Sequence, residues 1–398
     1  MSNGTDDGSS QAKPKNPFRE IVQPFIDLVH APRALWGINL AYVLEGMVYF
    51  GMLGYLAIYF SDFVFQGVAH ADVWSHSMLM VLTGGITLAM FFLGAVADKW
   101  GVRFALIAAF VFMLVGRTAM SGAPNVFGLE PARPGVLVGD EVDLHVTEVD
   151  TVDGIKAITR ATVVANDEGA DGGADALVVD LAAGAGTVPD ASFVSRAVRL
   201  SHAVAVEGEG QEWQVQYGST PVTAPLLIHS AGEIGLCPGA TFSLNRAYVT
   251  RRDGSEDEFL IRTHWVDDIS SLDVSGCEEV PEPTDAAVAE ASLKSETRWP
   301  VSELTGSPRA VSVQELRALE DGPTDVVLRD VYVTYVRNGG YFVQATRDEP
   351  GMLAYVSPLW SPLHLVTTLG ILLVVIGYGM YQPAAYAGVR LFTTPKTA

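Results

Sequence analysis

Four long apolar runs decide what this chain can fold into. Leu35–Phe60, Trp74–Val96, Phe104–Met120 and Leu363–Val389 hold only two charged side chains between them, Glu45 and Arg117. Each run approaches or exceeds the roughly 20 residues that cross a hydrocarbon core. Backbone groups cannot be left unbonded in lipid, so such runs must become helices. Four membrane helices are therefore expected, in a chain of 398 residues.

The remaining chemistry is segregated. Residues 124–356 hold 38 of the 46 Asp and Glu and 16 of the 25 Lys and Arg, so this stretch carries 16 − 38 = −22. Everything else sums to +1. A water-facing acidic body has been inserted into an apolar, nearly neutral chain, and its field repels phosphate backbones, which excludes nucleic acid as a partner.

Charge also sets sidedness. Lys13, Lys15, Arg19 and Arg33 precede the first span, Lys99 and Arg103 join the second to the third, and Arg390 and Lys396 follow the fourth. Under the positive-inside rule these ends are cytoplasmic and residues 123–357 extracytoplasmic, in a cell membrane of the bacterial inner-membrane kind. The organisation expected is a disordered tail (1–16) and an amphipathic segment (17–34), either lying on the membrane surface or packed on protein. Spans one to three follow (35–122), then a β-rich module (123–277), a linker (278–300), a second β-rich module (301–357), and the fourth span with its cytoplasmic end (358–398).

The insert reads as all-β or β-rich. Alternating runs such as Asp140–Val149, Ser243–Arg251 with Glu258–Val266, and Asp325–Val336 with Tyr341–Ala345 are separated by turn signals. Two hairpins share a pattern, Leu244-x-x-x-Tyr248-Val249-Thr250 and Leu328-x-x-x-Tyr332-Val333-Thr334, which suggests two related, OB-like barrel modules. Cys237 and Cys277 are the only cysteines, either a disulfide or two buried thiols. The carboxylates of Asp167, Asp171 and Asp175 recur every fourth residue, not every second as a calcium loop needs, and read as a solvated loop. His145, His202, His229 and His264 lack ligand spacing, and no nucleophile elbow or phosphate loop occurs. No metal, cofactor or catalysis is expected.

Three stretches of the membrane part carry motifs. At the turn between the second and third spans stand Gly94, Asp98, Lys99, Gly101 and Arg103. The carboxylate and the basic pair either latch neighbouring helices or merely cap a helix in an ordinary positive-inside loop. The spacing resembles the cytoplasmic loop of the major facilitator superfamily. The first span, Glu45-Gly-Met-Val-Tyr49-Phe50-Gly51-Met52, and the fourth, with Gly377, Gly379, Gln382 and Pro383, resemble stretches of the proton-dependent oligopeptide transporters within it.

That resemblance implies a twelve-helix bundle in two halves around a midplane site, of which this chain supplies four helices of the first half. It also implies proton-coupled secondary transport of a small solute. Glu45 takes the proton, because a carboxylate buried in a membrane helix is raised into the titrating range, unless it is a protonated packing residue. Tyr42, Tyr49, Tyr59 and Gln382 are candidate cavity residues. Tyr42, Gly46 and Gln382 replace the family's second Glu, its Arg and its Lys, so a peptide substrate is not implied with the fold. Arg117 either partners Glu45 or snorkels outward. Partners expected are lipid, solute, protons and a separate chain or downstream segment supplying the remaining helices. The alternative is a non-transporting anchor that displays the β-modules as a binding or assembly domain.

The sidedness is testable. An impermeant thiol label added to intact cells is expected to reach cysteines placed in the 124–356 insert and to leave Lys99→Cys unlabelled. Labelling at position 99 with a protected insert inverts the topology.

Overall fold

A computed structural model describes residues 40, 43–44, 46–47, 51, 53–65, 68–127, 135–168, 173–228, 234–252, 255, 257–277, 298, 300–304, 306–337, 339–356 and 361–393. The amphipathic segment, the tail, Glu45 and most of the expected linker lie outside them. The chain divides into two units, one helical (Leu79–Arg117 and Gly370–Ala398, with residues up to Leu56) and one mainly β (Ala57–Met78 and Thr118–Leu369).

Among the described residues three helices are long and apolar enough to cross a membrane: α2 (Ala71–Trp100), α3 (Val102–Phe127) and α6 (Pro362–Thr393). Four were expected. Twelve of the 26 residues of the first run lie outside the described residues, and its continuous described part belongs to a shorter apolar helix, α1 (Leu53–Val64), whose last turn is of π type (Phe60–Val64). α2 and α3 both outrun the apolar stretches that announce them, because helical hydrogen bonding continues through flanking polar residues.

Two closed five-stranded barrels make up the β unit, with short helices α4 (Gly173–Leu177) and α5 (Val313–Arg317) beside them. The second in chain order uses consecutive strands: β4 (Ala197–Glu209), β5 (Glu212–Tyr217), β6 (Val222–Ile228), β7 (Thr241–Arg251) and β8 (Phe259–Thr263). They close in the order β4-β5-β6-β8-β7-β4, with β6 and β8 the parallel pair. β3 (Val179–Asp180) and β9 (Ile269–Asp273) extend it. Its core holds Leu200, Val215, Leu226, Phe242, Leu244 and Ile261. Cys237 and Cys277 are bridged there, Cα atoms 5.9 Å apart. The 40-residue separation gives this bridge about 4 kcal/mol in the chain-entropy treatment.

The first barrel is split in sequence. β1 (Glu141–Val152) and β2 (Ile155–Asp167) precede the second barrel; β10 (Arg309–Val311), β11 (Gly322–Arg337), β12 (Gly340–Gln344) and β13 (Met352–Tyr355) follow it. The ring is β1-β2-β13-β12-β11-β1, with β10 added outside β11. The expected division into consecutive modules at 278–300 is therefore corrected: the second barrel is inserted within the first. The reason is pairing. The free edge of β1 needs a partner, and β11 supplies it with Leu144 opposite Leu328. In the second barrel Leu200 lies opposite Leu244 in the equivalent ladder. The two matched hairpins thus occupy the same place in each ring.

Local chemistry explains the details. Asp153 and Gly154, both at positive φ, form the two-residue turn between β1 and β2. A register shift between Val333 and Tyr335 keeps Val333 in the barrel core and turns Tyr335 outward. All five residues of β12 are buried: Tyr341 and Val343 face their own barrel and Phe342 faces the other. Tyr248, Trp265, Tyr335 and Phe342 form an aromatic core between the barrels. Tyr335 Oη donates to Asp268 Oδ2 at 2.7 Å, and Trp265 Nε1 donates to the Val336 carbonyl at 2.6 Å. Burial pushes the Tyr335 hydroxyl well above its ordinary range, with Asp268 adding to the effect, so it stays a donor.

The ends of the helices in this unit are tied together. Tyr59 Oη donates to the Met120 carbonyl (2.9 Å), Ser75 Oγ to the Ala57 carbonyl (2.7 Å), and His364 Nε2 lies 2.7 Å from the Val64 carbonyl. The connection from α1 to α2 reaches the first barrel through His70, 3.2 Å from Asp150, and through Ala69 at the aromatic core.

Asp140, at the start of β1, is fully buried and accepts from Arg298 Nε (3.1 Å), Arg298 Nη2 (2.8 Å), the Leu137 N–H (2.9 Å) and Asn166 Nδ2 (3.2 Å). Burial raises its pKa, but Arg298 and the two neutral donors outweigh that and hold it below the ordinary 3.8. A lowered carboxylate stabilises the fold above its unfolded value and loses that contribution as pH falls through the folded value. Arg298→Ala is expected to cost about 2–3 kcal/mol at pH 7. The deficit against the parent should shrink below pH 3.8. Urea unfolding of the full chain at both pH values measures this.

Candidate functional site in the helix bundle

Glycine spacing determines how the helical unit packs. Two residues along an α-helix rotate it by about 200°, so Gly377 and Gly379 lie on opposite sides of α6. A side chain on Gly377 would meet the Ala109 carbonyl at 2.9 Å and Met113 Cγ at 2.6 Å, both on α3. One on Gly379 would collide with Ala89 of α2. The Gly-x-Gly pair therefore admits α6 between its two neighbours, the close approach that small residues permit in membranes. Gly116 of α3 extends the contact, its missing Cβ lying 2.7 Å from the Gly370 carbonyl and 2.8 Å from Val374. Among the described helices α6 is thus flanked on two sides, whereas α2 presents Met80, Leu88, Phe91 and Phe92 outward.

The turn between α2 and α3 is a single residue. Gly101 takes φ +91°, open to glycine, and its carbonyl accepts the Ala105 N–H at 3.1 Å. That carbonyl starts the helix, and Asp98, Lys99 and Arg103 are exposed around it. Trp100 and Phe104 meet edge to face across the turn, with centroids 5.2 Å apart. Gly94 faces Pro383, whose Cβ would be 3.6 Å from a Cβ on the glycine. The two motif segments, remote in sequence, therefore lie side by side, with Val96 and Ala105 packed about Ala384. Pro383 also lacks the N–H that would bond the Gly379 carbonyl.

Arg117 donates from Nη2 to Tyr378 Oη at 2.7 Å and lies over that ring, 5.8 Å from its centroid. Tyr378, between the two glycines, is buried. Neither expected role for Arg117 anticipated this partner. The signal was legible, since a tyrosine flanked by packing glycines must face a neighbouring helix. Gln382 is half-buried one residue before Pro383. Tyr59 belongs to the β unit, where it bonds Met120 and stacks on Phe63 at 5.4 Å. Tyr42, Glu45 and Tyr49 lie outside the described residues. Among the described residues no group of three or more His, Cys, Asp or Glu is placed to hold a metal.

The chain matches no family model, no curated protein and no solved structure.

The packing has a direct test. Gly116→Leu places a side chain against a backbone carbonyl that cannot yield without separating α3 from α6, and is expected to cost about 1–3 kcal/mol. Gly84→Leu, where an added Cβ meets nothing within 4 Å, should be neutral. Thermal unfolding of both variants in detergent distinguishes them; equal loss would refute the helix contact.

Proposed function

We propose that this chain is part of a secondary transporter of the major facilitator type, moving a small solute across a cell membrane with protons. Glu45 is the proton-binding group, and Tyr42, Tyr49 and Gln382 line the path. The observation that carries this reading is that the turn-bearing helix lies beside the Gly377–Pro383 segment, Gly94 facing Pro383. Both segments were identified independently from sequence, and their meeting is what a shared transporter bundle requires. The Arg117–Tyr378 pair accompanies it, an exposed cation of α3 held to a buried tyrosine of α6. On this reading the barrels are extracytoplasmic. The ring of the second, with consecutive strands and one parallel pair, is OB-like, and the first is a variant completed by a strand of opposite direction.

A specific observation favours a second reading. The barrels share a continuous aromatic core and hold the α1–α2 connection, which suits a rigid domain displayed by a membrane anchor.

Glu45→Gln separates the two. In the full protein the variant keeps hydrogen-bonding capacity and loses titration. Gradient-driven uptake is expected to fall to background while exchange of labelled solute at equal pH persists. Undiminished accumulation at matched expression would remove the coupling role from Glu45.

A further inference from the structure

Asp and Glu abound in the insert, and Arg160, Arg199, Arg246, Arg252 and Arg298 each lie within ion-pair distance of one. Arg251 and Arg317 differ. Among the described residues, each has a main-chain carbonyl as its hydrogen-bond acceptor and no carboxylate. Arg251, the last residue of β7, donates from Nη1 to the Gly154 carbonyl at 3.1 Å, and Arg317, the last of α5, donates from Nη1 to the Gly351 carbonyl at 2.7 Å. The two carbonyls are neighbours. β13 runs parallel to β2 with Leu353 opposite Ala157, and that register, continued, sets Gly351 beside Ile155, the residue after Gly154. One guanidinium carried by the second barrel and one carried by the helix beside the first are thus brought to the start of the same strand pair.

Glycines make this approach possible. A Cβ on Gly154 would sit 3.4 Å from Arg251 Nη1, and one on Gly351 would strike the Ser195 carbonyl. The electrostatics are those of two like charges. Burial first, and then the Arg251 charge, push the Arg317 guanidinium below its ordinary 12.5. Asp153, beside Gly154, exerts its charge on Tyr355. A guanidinium has five N–H donors; each of these two spends one on its carbonyl, and Arg251 Nε is buried with no hydrogen-bond partner. Two half-buried cations held near each other and short of acceptors carry a cost that a shared anion relieves.

We propose that Arg251 and Arg317 together form a binding site for a tetrahedral dianion, phosphate or sulfate. The planar fork of a guanidinium matches two oxygens of such an anion at once, a geometry that a halide does not use. Two monocations without carboxylates also balance its charge. The insert as a whole, at 16 − 38 = −22, repels anions at long range. Occupancy therefore rests on the short-range donors of this pair, and removing either arginine removes half of them. The site stands on the β unit alone and does not depend on the transport reading.

The test titrates the full chain in lipid nanodiscs with sodium phosphate, sodium sulfate and sodium chloride at constant ionic strength. Phosphate or sulfate should bind saturably by calorimetry and slow amide exchange at 154–156 and 351–353, and chloride should do neither; the two oxyanion arms show which dianion the site prefers. Arg251→Gln and Arg317→Gln should each weaken binding at least about tenfold. Arg317→Lys, which keeps the charge and loses the fork, should also weaken it. No saturable heat from either oxyanion up to about 10 mM overturns the proposal without any variant, as does slowed exchange confined to other segments. Parent-like binding by both Gln variants does the same. A gain of about tenfold or more on replacing Asp253 and Glu256, which follow Arg251 in sequence, by their amides would assign the pair an internal counter-ion and reject the ligand.

Discussion

The ladder between β1 and β11 is the constraint on which the β unit depends. It joins strands from either side of the inserted barrel, and without it the β1–β2 hairpin would be held to its ring only by the two-residue pairing of β2 with β13, with the edge of β1 exposed. Everything between those strands must leave and return to the same barrel. That requirement brings the second barrel against the first, creates the core of Tyr248, Tyr335, Phe342 and Trp265, and buries β12 on both faces. An ordinary half-exposed strand would alternate; β12 does not, because its second face meets a neighbour.

Much of the architecture was legible in the sequence. Apolar runs gave three of the helices outright, and the acidic segment marked the body between them. The hairpins 243–266 and 325–345 were found from alternation and turn residues. The nesting was not legible, because the same alternating pattern suits a strand that pairs with its neighbour and one that pairs across an insertion. Asp153–Gly154 is a readable turn signal as well, two residues whose types tolerate positive φ. Tyr335 turning out of its barrel was unreadable, since the bulge that re-aims it depends on the partner strand.

The membrane segments divide differently. Gly377 and Gly379 were singled out as motif residues, and the structure gives them a physical task, the admission of α6 between α2 and α3. A single glycine would have allowed approach to one neighbour only. At the turn between α2 and α3 the Gly101 carbonyl accepts the first bond of the next helix, and Asp98, Lys99 and Arg103 stand exposed around it.

Nesting also bears on how the β unit forms. The strands of the second barrel are consecutive, and the Cys237–Cys277 bridge lies within that region, so its closure needs only moderately local contacts. The first barrel must wait for β11–β13, which the chain delivers last. Loop-closure entropy rises with the length of free chain between the joined strands, but only with the part that remains flexible. Once the second barrel has closed, its ends lie on one rigid body, and the free chain that β1 and β11 must span shrinks to the segments on either side of it. The insertion that appears to separate the two halves of the first barrel thereby reduces the entropy cost of joining them. Contact between Tyr248 of the inner barrel and Phe342 of the outer one, with ring centroids 4.3 Å apart, then adds burial at the moment of closure.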